Sequence, residues 1–308
     1  MKFTLSIVIF LLSISICTAQ KSGDQYLQEG KPDSAAYAFG TALMSATEAK
    51  VIEENAYKLA SACALIYQVD TAFYFLNIAL KDNYTLLPLT DCNFYSLSED
   101  ARWQQIENAQ FKKFQEKNGA LKEVEYAKKL LRLIMKDQAL DYYMDLAKSY
   151  YMQNGNIPHW FYPLGDLRGR ITKDNFENMK ALIAENGWPT YSAVGELAAD
   201  APLLVINHHE SDSVRKAYLA QIKEACLNGE GSCMEYAKIH DRILVNEGKL
   251  QDFGMQFRYN EDRILEPFPI NNPEYVDQRR TEIGLEPLKD YLKRKINYNW
   301  EIAQKVNE

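Results

Sequence analysis

The 308-residue sequence has no long hydrophobic run after its first sixteen residues. A helix that crosses a bilayer needs ~20 apolar residues in succession, so no membrane span is expected beyond that point. The signatures of common chemistries are missing too. There is no His-Glu-x-x-His, no nucleophile elbow, no Gly-rich phosphate loop and no cysteine or histidine spacing of a zinc site. No cofactor and no metal are expected. Basic residues are the minority, 35 Lys and Arg against 42 Asp and Glu for a net charge of −7. A nucleic-acid binder carries a basic footprint, so nucleic acid is not an expected partner. The run Lys293-Arg294-Lys295 reads as a solvated helix face.

What is there begins at the N-terminus. Lys2 precedes an almost unbroken apolar run from Phe3 to Ile16, and Cys17-Thr18-Ala19 ends it with small residues. That order is the one found in a secretory signal peptide, with cleavage expected between Ala19 and Gln20. An uncleaved anchor is the weaker reading, because the run is short for a span and no charge flanks its far end. A lipoprotein reading through Cys17 would need a small residue where Ile16 stands. The protein is therefore expected to be exported, periplasmic or extracellular. Oxidising surroundings permit disulfides between the four later cysteines. Cys226 and Cys233 sit at the facing ends of two expected helices and are the stronger pair; Cys63 and Cys92 are the weaker.

Repeats come next. Gly23, Tyr26, Ala35, Phe39 and Ala42 share their offsets with Ala60, Cys63, Ala72, Leu76 and Ala79, 37 residues later. Small residues at fixed places let antiparallel helices approach closely, and a large one fills the groove. The pattern resembles tetratricopeptide repeats, and such hairpins offer a groove to a protein or peptide partner. An apolar loop with Pro88 follows, and Leu89 to Ile106, with Leu97 and Trp103, resembles a closing segment. Ser96-Leu-Ser-Glu99 looks like a capping box for a helix that runs through Trp103, Ile106, Phe111 and Phe114 to Asn118-Gly119. The expected organisation is a signal peptide at 1–19, a tetratricopeptide-like region at 20–118 and a helical domain at 119–308.

In that last part the 3.6-residue period of Leu130, Leu131, Ile134, Met135, Leu140 and Leu146 predicts one long helix from Leu121 to Gln153. An aromatic loop, Pro158 to Pro163, precedes a helix expected to start at Thr172 and end at Asn186-Gly187. Helices are expected at 192–208, 212–228 and 233–247, and a strand pair at 251–264 around Asn260-Glu261. Two more helices, 273–283 and 287–303, close the chain. The class is mainly α with a small β-hairpin.

Chemistry-bearing polar residues gather here. Asp137-Gln138 interrupts an apolar face, Asn207-His208-His209-Glu210 ends an apolar run, Asp241-Arg242 lies within a helix, and Gln251 and Gln256 flank Phe253-Gly254. A histidine oriented by a carboxylate is the minimum for acid–base work. Each also has a structural reading: a histidine at a helix C-terminus suits the dipole, and adjacent histidines point about 100° apart.

Asn186-Gly-Trp-Pro189, Val194-Gly195, His208, Asp241 to Lys249, Gln251, Phe253-Gly-Met-Gln256, Asp277 to Arg280 and Ile283-Gly-Leu285 together resemble an uncharacterised bacterial family, domain of unknown function 6624, over about residues 125–293. The resemblance implies that Asp137, Gln138, Trp188, His208, Asp241, Arg242, Gln251, Gln256 and Arg280 hold signature positions, and it implies no reaction. The family's usual Tyr-Gly-Thr-Gln is here Phe253-Gly-Met-Gln256, which removes two hydroxyls. Glu210 stands where the family tends to have Asp. Three functions compete: a binding protein of the cell envelope with a polar pocket, a hydrolase or transferase with His208 and Asp241 as acid–base pair and Arg242, Gln251 and Gln256 as donors, and a purely structural polar core.

Overall fold

Small residues let the first helices close on one another. In the computed structural model, which describes residues 21–305, α1 (Gly23–Gln28), α2 (Pro32–Ser45), α3 (Ala49–Leu65) and α4 (Val69–Ala79) pack in chain order. Ala35 and Phe39 of α2 are buried, as are Ala56, Ala60 and Cys63 of α3 and Ala72, Leu76 and Ala79 of α4. Gly23 has no room for a side chain, since a Cβ there would lie 2.3 Å from the Phe39 ring. The expected signal peptide, with Cys17, lies outside the described residues.

Two 3-10 segments, Leu87–Thr90 and Cys92–Leu97, bury Leu89, Phe94 and Leu97, and the second packs on α3. Helix α5 (Ala101–Asn118) then buries Trp103 and Phe111. Its cap is Asp100, whose carboxylate accepts the Arg102 N–H, so the capping box expected at Ser96–Glu99 does not form. Ser96 is taken up instead by a hydrogen bond to the Ala64 carbonyl.

Helix α6 (Val124–Asp137) is the central strut. Leu130, Leu131, Ile134 and Met135 are buried, and one contiguous core runs past it from Ala35 to Leu292. The long helix expected through Gln153 is interrupted by a turn at residues 138–140, after which α7 (Asp141–Asn154) begins. No Pro or Gly marks the break. Tight turns replace the helix, with Ala139 N–H donating to Lys136 O and Asp141 N–H to Gln138 O.

Helix α8 (Phe161–Asn186) starts eleven residues before Thr172, because Pro163 is tolerated in a first helical turn. The stretch expected as one helix at 192–208 is three short ones, α9 (Tyr191–Val194), α10 (Glu196–Ala199) and α11 (Ala201–His208), which bend at Gly195 and ahead of Pro202. Helices α12 (Asp212–Leu227) and α13 (Cys233–Asn246) form a hairpin with Cys226 bonded to Cys233. Cys63 and Cys92 are free thiols.

The strand pair is shorter than expected, and its second strand lies beyond the expected end at residue 264. Strand β1 (Phe257–Tyr259) pairs antiparallel with β2 (Leu265–Pro267), and Gln251 makes a separate parallel bridge to Ile270. Helices α14 (Val276–Glu282) and α15 (Leu288–Ile296) end the fold, each shorter than its expected span. The described residues are mainly helical, with one small two-stranded sheet in the C-terminal part.

Candidate functional site

The polar residues singled out in the sequence divide into two groups. The first is a scaffold around residues 251–256. Asp241 is fully buried in α13. Its Oδ1 accepts the N–H groups of Asp252 at 2.8 Å and Phe253 at 3.1 Å, and its Oδ2 those of Phe253 at 3.1 Å and Met255 at 2.9 Å. Burial pushes its carboxyl up, to about 6, and the three N–H donors oppose that push. Gln251 donates to the carbonyls of Gln256 and Phe268 and accepts the Gln256 N–H, while Gln256 donates to Lys238 O. Arg280 is buried beneath, donating to Glu286 O and to Phe253 O at 2.5 Å, with Tyr291 under its guanidinium. Burial lowers its pKa. Gly254 takes φ +76°, and a Cβ there would stand 2.5 Å from Leu288 Cδ1, so the turn requires glycine.

Asp241 is therefore not the partner of His208. Its oxygens are committed to the backbone, and a carboxylate with no open face orients no imidazole. The expected His208–Asp241 pair is thus not joined by a hydrogen bond, and the side-chain amides of Gln251 and Gln256 bond to backbone groups.

His208 is instead paired with Asp137. The C-termini of α6 and α11 meet, and His208 Nδ1 lies 2.5 Å from Asp137 Oδ2. The carboxylate is buried, while about a third of the imidazole is exposed, 2% against 33%. An ionised carboxylate only accepts, so the tautomer that fits this bond is the one with its proton on Nδ1, which leaves Nε2 as an acceptor. No described residue bonds Nε2. Asp141 and Arg168 lie alongside, 4.0 Å apart, and burial raises the Asp141 carboxyl. Gln138 sits half-buried in the same turn.

Beside this pair the remaining residues are accounted for. Arg242 and Arg215 both donate to the Asn207 carbonyl, at 2.7 and 3.0 Å. Burial, with Arg215 alongside, lowers the Arg242 pKa. His209 packs on Phe176 with ring centroids 4.6 Å apart, and its Nδ1 accepts the Ser211 N–H. Trp188 stacks on Tyr218 at 6.1 Å. Among the described residues no group of three or more His, Cys, Asp or Glu could hold a metal.

Residues 155–302 match a family described as a family of unknown function, DUF6624. The span starts later and ends later than the resemblance read over 125–293. It contains His208, Asp241, Arg242, Gln251, Gln256 and Arg280 but leaves out Asp137 and Gln138, so the His208 pair joins a residue inside the matched region to one before it. No curated protein and no solved structure matches the chain.

The matched region opens at the tip of the α7–α8 hairpin, beside a cleft of about 770 Å³. Tyr143, Leu146, Tyr150 and Gln153 of α7 line it at helical spacing, Trp160 and Leu164 face it from α8's end, and Gln28 to Lys31 close it from the α1–α2 turn. Leu146 packs 3.3 Å from the position a Gly30 Cβ would take. Lys31 pairs with Glu29 at 2.8 Å on the rim. Sequence reasoning missed this cleft because its walls come from segments more than a hundred residues apart. The one available signal was the 143, 146, 150, 153 spacing, which the assumed single helix hid. His240, paired with Asp252 at 2.8 Å, was missed as well; that bond lowers the Asp252 carboxyl.

Proposed function

We propose that the protein is an exported binding protein that holds a peptide segment in the cleft between the α1–α2 turn and the α7–α8 hairpin. The observation that carries this reading is the cleft itself: about 770 Å³, walled by Tyr143, Tyr150, Trp160, Leu146 and Leu164, with Glu29, Lys31, Ser149 and Gln153 at its edges. Ligand sites have this size and this mixture of apolar walls with a few polar groups. A tetratricopeptide-like reading of α1 to α4 supports a peptide as the occupant, because close-packed hairpins of small residues present grooves to extended chains. Export through residues 1–19, to the periplasm or the exterior, is part of the proposal. The Cys226–Cys233 bond supports it, since disulfides persist in oxidising compartments.

The test is a selection of random displayed peptides on the wild-type chain and on Leu146→Arg. Peptides enriched on the first and lost on the second support the cleft. Peptides recovered equally on both place recognition elsewhere and overturn it.

A second reading rests on the Asp137–His208 bond. A third-exposed imidazole oriented by a buried carboxylate can act as a general base, and a hydrolase or transferase would use it with Asp137 where Asp241 was expected. A screen for turnover on the wild type, His208→Ala and Asp137→Asn tests it. Turnover that survives both substitutions removes the pair from the chemistry.

A further inference from the structure

Between Met135 and Phe176 no apolar side chain joins the core. In α7 only Ala147 is buried, and in α8 only Asn175 and Met179, both beyond its midpoint. Helix α7 and the first turns of α8 thus form an arm, tied down at its base by the Tyr142 hydroxyl donating to Leu27 O. An arm without core contacts is expected to carry polar side chains. This one does not.

From Ser149 to Gly165 there is no Asp, Glu, Lys or Arg, in a chain where such residues make up 25%. The tip displays Tyr151, Met152, Ile157 and Tyr162, with Met152 75% and Tyr162 63% exposed. Exposed apolar clusters of this kind mark interaction surfaces.

We infer that the arm tip docks on a lipid surface, inserting Met152, Ile157 and Tyr162 to the level of the headgroup boundary. Three features favour a bilayer over a protein groove. Tyr150, Tyr151 and Met152 are consecutive on a helix, so they point about 100° apart and cover most of its circumference. A groove accepts one face of a helix, whereas a fluid accepts all of them. The tip is built of Tyr, Trp and uncharged amides, the side chains that settle at a membrane–water interface. The net charge of −7 repels an anionic bilayer from the molecule as a whole, but no Asp or Glu lies in the tip, and at its shoulders Lys148, Arg168 and Arg170 are balanced by Asp145, Asp141 and Asp166, with Arg168 facing Asp141 and Arg170 paired with Asp166. No described helix is long and apolar enough to cross a membrane, so the contact is peripheral. Tyr151, Met152, Ile157 and Tyr162 do not line the peptide cleft, whereas Tyr150 and Trp160 do, so the two readings share part of the arm and are separated by substituting Met152 and Tyr162, which lie outside the cleft.

The test uses the full chain with vesicles of phosphatidylcholine and phosphatidylglycerol, one set with brominated acyl chains. The apolar N-terminal segment could itself hold the chain on a vesicle, so the readout is local. It is the quenching of the fluorescence component lost in Trp160→Phe. Brominated vesicles are expected to quench that component, and Met152→Asp/Tyr162→Asp is expected to reduce the quenching at least about fivefold, because an inserted carboxylate is strongly disfavoured. Circular dichroism checks that the doubly substituted chain is folded, and Met152→Ser, milder, gives a partial loss in the same direction. If the Trp160 component is unquenched in the wild type, the arm does not enter lipid. If the same substitutions instead abolish a concentration-dependent dimer seen by sedimentation, the tip is a protein contact. Either result overturns the proposal.

Discussion

Asp241→Ala removes one side chain and leaves three backbone donors, the N–H groups of Asp252, Phe253 and Met255, without their acceptor in a site closed to water. A buried donor stranded in this way costs about 1–3 kcal/mol, and the loop can relax enough to recover part of it, so the loss should come to about 3–5 kcal/mol. Asp241→Asn keeps one carbonyl oxygen and sets an amide N–H₂ against the other donors, for a loss of about 1–3 kcal/mol. Urea unfolding at neutral pH measures both, and amide exchange at Phe253 and Met255 should accelerate with them. The His208 ring resonances in the NMR spectrum should be unmoved, since its partner is Asp137. If Asp241→Ala unfolds within about 0.5 kcal/mol of the wild type, the structural role assigned to Asp241 is wrong.

Other expectations rest on separate residues. Cys226→Ser/Cys233→Ser opens a short loop of sequence separation 7 between α12 and α13, and chain entropy puts the loss near 2.5 kcal/mol, read as a matching drop from reduction of the wild type in a denaturant titration. Asp200 has its carboxyl raised to about 6, first by burial and then by Glu235 and Glu196. The folded state therefore holds its proton more tightly than the unfolded state, whose carboxyl titrates near 3.8. Its ionisation weakens the fold as pH rises from about 4 to about 6 and remains unfavourable above. Asp200→Asn should stabilise the protein on the order of 2 kcal/mol near neutrality and little near about pH 4; equal effects at both would contradict this.

Much of the helical architecture could be read from residue patterns, and the misreadings have physical causes. The α12–α13 hairpin and the end of α5 at Gly119 carried local signals: Ser caps at 211 and 232 and a glycine C-cap. The break at 138–140 carried none, because tertiary contacts stabilise it: the Asp137–His208 bond and the Tyr142–Leu27 bond. His208 stood out in the sequence, but its partner did not. Asp137 and Asp241 look alike as carboxylates on apolar helix faces, and only the fold shows that one meets an imidazole and the other a turn of backbone.

Calorimetric titration of a peptide recovered in the selection tests the binding reading most directly. Leu146 contributes apolar cleft wall, so Leu146→Arg should weaken binding about 10–100-fold, while His208→Ala, outside the cleft, should leave it within about twofold. A peptide that binds Leu146→Arg as tightly as the wild type would contradict the account.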